Sequence, residues 1–136
     1  MPAKKSFVLD TSALLALRNN EPGADRVQGL LEQGSRQQCR LLGSFMTRME
    51  LLYCIGREEG DQAAHEALRL VDSFAIDWVS CEPDILERAA QIKCAGRISV
   101  ADSWIGATAL VYAATLVHKD PEFEPLQDIP QEVLTS

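Results

Sequence analysis

Ser6-Phe7-Val8-Leu9-Asp10-Thr11-Ser12-Ala13-Leu14-Leu15 is the stretch whose reading decides the fold. Ser6–Leu9 reads as a short buried strand, and it stops at Asp10. Leu14, Leu15 and Leu17 then open a helical stretch, with Asp10 placed to cap it. Glu21-Pro22-Gly23 breaks the first helix, and Val27, Leu30 and Leu31 mark a second over Ala24–Gln33. A strand over Cys39–Phe45 leads into helices over Met46–Arg57 and Gln62–Phe74. Ile76–Val79 reads as a third strand. Pro83 opens a helix reaching Gly96, Val100–Ala113 is the most apolar helix, and Thr115–Val117 is a very short strand. The tail from Glu124 reads as a last short strand or an extended arm. Strands alternating with helices imply an α/β fold with a mostly parallel central sheet and helices on its faces. With no internal repeat and no linker, residues 1–136 read as a single domain.

The 136 residues are 46% hydrophobic and 24% charged. That excludes a disordered chain and gives enough length for a core without disulfides or a structural metal. No apolar run approaches the ~20 residues of a membrane span. Lys4 and Lys5 are followed only by Phe7-Val8-Leu9 before Asp10, so no signal peptide is expected, and the expected location is the cytoplasm. The four cysteines form no CxxC pair and read as buried thiols. The formal net charge is −7. A chain acting on nucleic acid with that charge needs a local device, such as a metal ion or a few placed cations.

Four acids stand where such a device would form. Asp10 follows the first strand, and Asp120 follows Leu116-Val117 after two residues. Glu50 lies about one turn into the helix after Phe45. Asp102 lies in the first turn of the helix after Ser99. In open parallel sheets the chemistry sits beyond the carboxyl ends of the strands, where these residues fall. Each acid also has a structural role open to it. Asp10 suits an N-cap, Thr47-x-x-Glu50 and Ser99-x-x-Asp102 have the form of capping boxes, and Asp120-Pro121 starts a turn. Glu50 and Asp102 are nevertheless set in strongly apolar helices, where an uncompensated carboxylate is costly. If the acids met, each like-charge pair at ~4 Å would cost about 4 kcal/mol at an effective dielectric of ~20. A divalent cation removes that cost, and an all-carboxylate donor set suits Mg²⁺ or Mn²⁺ rather than Zn²⁺.

Four segments carry a resemblance to a known family. Residues 7–15 (Phe7-Val8-Leu9-Asp10-Thr11-Ser12-Ala13-Leu14-Leu15) resemble the opening motif of PIN-domain ribonucleases. Ser44-Phe45-Met46-Thr47-Arg48-Met49-Glu50-Leu51-Leu52 is similar to their second motif. Residues 98–110, centred on Ala101-Asp102-Ser103-Trp104, resemble the third, and Ala114–Phe123, with His118-Lys119-Asp120, resembles the fourth. Order, spacing and length resemble the VapC-type toxins of bacterial and archaeal toxin–antitoxin pairs. The resemblance implies a PIN-like three-layer α/β/α sandwich. It also implies an endoribonuclease whose Asp10, Glu50, Asp102 and Asp120 hold one or two Mg²⁺ or Mn²⁺ ions. Cleavage by metal-activated water would leave 5′-phosphate and 3′-hydroxyl ends. The implied partners are an RNA substrate, a small antitoxin that covers the pocket, and a second copy of the chain in a homodimer, with no membrane involved. Many relatives carry Thr or Ser where His118 stands.

Within that implied site, Asp10 and Asp102 are the first choices as metal ligands. Ser12 is placed to orient water or to cap the helix. His118 either faces the metals or is a satisfied structural histidine. Arg18, Arg48, Arg97 and Lys119 flank the motifs and are candidate RNA contacts. Trp104 and Tyr53 are placed either to stack bases or to pack in the core. Two alternatives stand beside the nuclease. One is an aspartyl-phosphate enzyme using Asp10, although Ser12 stands where a haloacid-dehalogenase-type phosphatase carries a second acid. The other is a non-catalytic PIN-like binding module.

Overall fold

A computed structural model describes residues 4–135. In chain order the elements are β1 (Ser6–Leu9), α1 (Thr11–Arg18), α2 (Ala24–Ser35), β2 (Arg40–Ser44), α3 (Phe45–Glu59), α4 (Asp61–Asp72), β3 (Ile76–Val79), α5 (Pro83–Ala95), α6 (Val100–Val111), β4 (Thr115–His118) and β5 (Gln131–Val133). One 3₁₀ turn, Pro121–Phe123, lies between β4 and β5. All five strands are parallel, in the order β3-β2-β1-β4-β5.

Adjacent residues of the central strands bury on opposite faces, as the pleat requires. Phe7, Leu9, Leu41 and Val117 pack with Leu14, Val27, Leu30, Leu51 and Ile55 on the side of α1–α4. Val8, Leu42, Val79 and Leu116 pack with Ile85, Ala89, Ile105 and Ala109 on the side of α5 and α6. The result is the three-layer sandwich. Strands buried on both faces read as continuous apolar runs, which is why they were visible in the sequence.

The order of connection matters for the site. From β1 the chain moves outward through β2 to β3, then returns to lay β4 on the other side of β1. The sheet therefore reverses its winding between β1 and β4, and a crevice opens at their carboxyl ends. Asp10 and Asp120 stand at that crevice.

Several local expectations change. The tail is a paired strand: Leu116 N–H donates to Pro130 O at 2.8 Å and Leu134 N–H to His118 O at 2.8 Å. Leu134 also packs on Gly23, whose φ is +98° and where a Cβ would come within 2.8 Å of Leu134 Cβ. Helix α3 is capped by Ser44, whose hydroxyl accepts from Met46 N–H at 3.2 Å, so Thr47-x-x-Glu50 is not a capping box. Thr47 is buried inside the helix instead. Of the cysteines only Cys39 is buried, while Cys81 and Cys94 are exposed. No helix among the described residues is long and apolar enough to cross a membrane.

Candidate metal centre

Asp10 is the N-cap of α1, and its carboxylate is divided between two environments. Oδ2 accepts from Ser12 N–H at 3.0 Å and from the Ser12 hydroxyl at 2.5 Å. Oδ1 is buried and has no hydrogen-bond partner among the described residues. The residue as a whole is only 2% exposed. A buried carboxylate oxygen without a partner costs a few kcal/mol, so it marks a place where something else belongs.

Other carboxylates lie close to that of Asp10. Asp10, Glu50 and Asp102 each offer a carboxylate oxygen within 4.8 Å of the others, and Asp102, Asp120 and Glu122 form a second such triad. Asp102 belongs to both and links them. Its position follows from α6, where Ser99 caps the helix by accepting from Asp102 N–H at 3.1 Å. Glu50 comes from one turn inside α3. The Thr11 hydroxyl donates to Glu50 Oε1 at 2.6 Å and sits 3.1 Å from Thr47 Oγ1, which aims the carboxylate back toward β1.

The fourth acid is held by a relay of hydrogen bonds. Asp120 caps the 3₁₀ turn, its Oδ1 accepting from Glu122 N–H at 3.0 Å. Glu122 in turn accepts from Ser99 N–H, tying this turn to the start of α6. Beneath them His118 is fully buried. Its Nδ1 accepts from Asp120 N–H at 3.0 Å, and its Nε2 meets Gln131 Oε1 at 2.8 Å. Those two bonds require the neutral Nε2–H tautomer. The Gln131 amide completes the set by donating to Phe123 O and Leu126 O, both at 2.9 Å. His118 therefore lies under the acids as a satisfied structural group and shapes the Asp120 backbone.

Electrostatics agree with the geometry. Burial pushes Asp10 up to about 6, against the Ser12 hydrogen bonds that favour its ionised form, with the charges of Glu50 and Asp120 adding to the rise. Asp102 is pushed up to about 9, chiefly by burial, then by hydrogen bonding with Glu122 and by the charge of Asp10. Glu50 is raised mainly by burial as well, partly offset by the Thr11 hydroxyl. These groups share protons as a set in the metal-free protein. The donor set is hard oxygen throughout, the pocket is negative, and one oxygen lacks any partner. These features fit a divalent cation of the Mg²⁺ or Mn²⁺ kind.

Residues 7–128 match the family model described as the PIN domain. The chain belongs to the PIN-domain family. No curated protein matches this PIN domain. Among solved structures it resembles VapBC2 from Rickettsia felis, bound to a fragment of promoter DNA. That match has a TM-score of 0.75 at 16% identity and covers 95% of this chain and 98% of that one. DNA-bound VapBC from Salmonella typhimurium gives a TM-score of 0.75 at 19% identity, over 95% and 98% of the two chains. Mycobacterium tuberculosis VapC20, described as a Sarcin-Ricin loop cleaving toxin, gives 0.69 at 17%, over 88% and 94%. At these identities the likeness shows the shared fold.

Asp10, Glu50, Asp102 and Asp120 of this PIN domain are brought together, and Glu122 joins them although the sequence reading passed over it. The signal was present, since Asp120-Pro121-Glu122 places a second acid two residues on in a turn. The Ser12 hydroxyl gives its one proton to Asp10 and accepts from Lys119 N–H at 2.9 Å. The flanking cations are mostly engaged. Arg48 pairs with Asp72 and lies over the Trp78 ring at 5.2 Å. Arg18 pairs with Glu59 at 2.5 Å and Lys119 with Glu21 at 3.3 Å. Arg97 makes no ion pair among the described residues. Trp104 packs edge-on against Phe45 at 5.1 Å, whereas Tyr53 is exposed rather than packed in the core, with the Arg57 guanidinium over its ring at 5.2 Å.

Proposed function

We propose that the protein is a metal-dependent endoribonuclease and the toxin of a type II toxin–antitoxin pair. The observation that carries this reading is the buried carboxylate of Asp10, whose Oδ1 has no partner among the described residues, gathered with the carboxylates of Glu50 and Asp102. Family membership supports it, and so do fold neighbours that are VapBC proteins and, in VapC20, a Sarcin-Ricin loop cleaving toxin.

Asp10 Oδ1, Glu50 and Asp102 would hold the principal ion, and Asp120 with Glu122 would complete the cup. A divalent ion there supplies Lewis acidity, acidifying water near neutral pH and neutralising charge on the phosphoryl oxygens. The chain's own contribution is rigidity. Ser12, Thr11 and Ser99 fix three of the acids from separate elements, and His118 fixes the backbone of the fourth. In hydrolysis the oxygen of water bonds to phosphorus and the bond to the 3′ oxygen breaks. That oxygen takes up a proton, leaving 5′-phosphate and 3′-hydroxyl ends. No lysine or arginine among the described residues bonds to the acids, so nothing at Asp10 favours a phosphoryl-acceptor role. A small antitoxin covering the cup, a homodimer and action in the cytoplasm belong to the same proposal.

The test is cleavage of cellular RNA by the purified chain with Mg²⁺ or Mn²⁺, with 5′-end sequencing of the products. Cleavage that EDTA abolishes and Asp10→Asn removes is the expected result. Undiminished cleavage by Asp10→Asn, or none by the wild type with metal present, would sink the reading.

A further inference from the structure

A cavity of about 500 Å³ lies beside the acids, between the second half of α5, the loop before α6, and the connection from β4 to β5. Glu122 belongs to both features: it lines the cavity, and its carboxylate also lies within 4.8 Å of those of Asp102 and Asp120. The cavity and the candidate metal centre therefore share Glu122. Ile98 and Leu126 contribute apolar wall, and Arg88 and Arg97 contribute guanidinium groups.

The charge balance of the chain gives those arginines their meaning. A protein of net charge −7 must neutralise RNA phosphates locally. Arg18, Arg48 and Lys119, the other cations near the motifs, are already compensated by Glu59, Asp72 and Glu21. Arg88 and Arg97 form no ion pair among the described residues. The cavity's carboxylates, Glu122 and Asp128, balance the two guanidiniums in number, and Glu122 is the one turned to the acids of the metal centre. Apolar walls with unpaired guanidiniums beside a phosphodiester-cutting site match one ligand chemistry well. That chemistry is a nucleotide, with a flat apolar face and a phosphate.

We propose that this cavity seats an unpaired nucleotide of the RNA strand adjacent to the scissile phosphate. Its base lies against Ile98 and Leu126, and its phosphate lies at Arg88 and Arg97. A base held in such a recess is out of its helix, so the preferred substrate is single-stranded at that position. This inference rests on the nuclease reading and deepens it.

The test compares the wild type with the double variant Arg88→Gln/Arg97→Gln, both Mn²⁺-loaded, on a cleavable single-stranded oligoribonucleotide. KM is expected to rise roughly tenfold at 0.15 M salt, and the slope of log KM against log salt to fall by about one to two. The Mn²⁺-induced thermal shift and kcat stay at wild-type values. In a second arm, an abasic residue is placed on either side of the cleaved bond. On one side it raises the wild-type KM but adds little to that of the double variant. Unchanged KM with cleavage intact overturns the nucleotide seat and leaves the nuclease standing. Unchanged RNA kinetics with weakened antitoxin binding also overturns it, making the cavity a protein-docking site. Absence of metal-dependent cleavage by the wild type removes the nuclease reading and this inference with it.

Discussion

Asp10→Asn should make the metal-free protein more stable, by an amount that depends on pH. Asp10 is raised from 3.8 to about 6 in the folded state. Between those values the folded protein holds a proton that the unfolded chain releases, so stability is fully present below about pH 4 and is lost as pH rises through about 6. At 1.36 kcal/mol per unit, the ionised group costs about 3 kcal/mol at pH 8. Asparagine keeps the cap, because its Oδ1 can accept from Ser12 N–H as Asp10 Oδ2 does at 3.0 Å. Its Nδ2 takes the place of the partnerless oxygen and faces carboxylates that accept. Against this, the favourable interaction of the charge with the amino end of α1 disappears, worth about 0.3–1 kcal/mol.

The net gain is about 2 kcal/mol at pH 8, shrinking below about 1 kcal/mol at pH 5, where half the wild-type penalty has been relieved. The assay is thermal and urea unfolding of both proteins in EDTA at pH 8 and pH 5. Excess Mn²⁺ should then reverse the order, because only the wild type has the full ligand set; a hundredfold excess over Kd adds about 2.7 kcal/mol. A variant less stable than the wild type at pH 8 without metal would refute the reasoning, since Asp10 would then be a cap and nothing more. Equal stabilisation of both proteins by Mn²⁺ would refute it too.

Other perturbations probe the supports of the cup. Ser12→Ala removes a hydroxyl that joins Asp10 to Lys119 N–H, and should cost about 1–2 kcal/mol in urea unfolding while weakening Mn²⁺ binding measured by calorimetry. His118→Leu leaves Asp120 N–H and Gln131 Oε1 unpaired; a loss of about 2–4 kcal/mol with reduced Mn²⁺ affinity is expected, and unaltered Mn²⁺ affinity would deny it any role in placing Asp120. Gly23→Ala meets both a positive φ and Leu134, so a loss of about 1–3 kcal/mol in the same unfolding assay should follow without change in Mn²⁺ affinity.

The parts of this molecule readable from sequence are those decided locally. β1 has the bounds its apolar run implies, because a central parallel strand is buried on both faces; β3, at the sheet edge, keeps its expected bounds with Asp77 exposed between buried Ile76 and Val79. The start of α3 was misjudged because β2 passes into it with no loop, so Ser44 ends the strand and caps the helix at once. Thr47 looks like a cap by spacing, yet its hydroxyl faces Thr11 of the neighbouring helix α1, a contact no local rule contains. The cations show the same limit. Arg48 and Lys119 are near the motifs in sequence, but Asp72 of α4 and Glu21 after α1 engage them. Arg88 drew no notice because α5 carries no acid of the cup, although folding places it on a wall shared with Glu122.

Asp10 shows why the structural and chemical readings of these acids do not compete. The backbone N–H at the start of α1 and the Ser12 hydroxyl engage Oδ2 alone. That engagement leaves Oδ1 without a partner among the described residues, in a carboxylate that lies with those of Glu50 and Asp102. Ser99 acts similarly on Asp102, fixing its backbone and leaving both side-chain oxygens for the pocket. A helix terminus at a sheet's switch point can thus hold a carboxylate rigid with half of its bonding capacity while presenting the other half. Rigidity of this kind matters, because like charges in a metal-free pocket would otherwise drive the side chains apart. Capping is the means by which this chain keeps its acids converged, so a sequence rule that assigns each acid to one role or the other poses the wrong alternative.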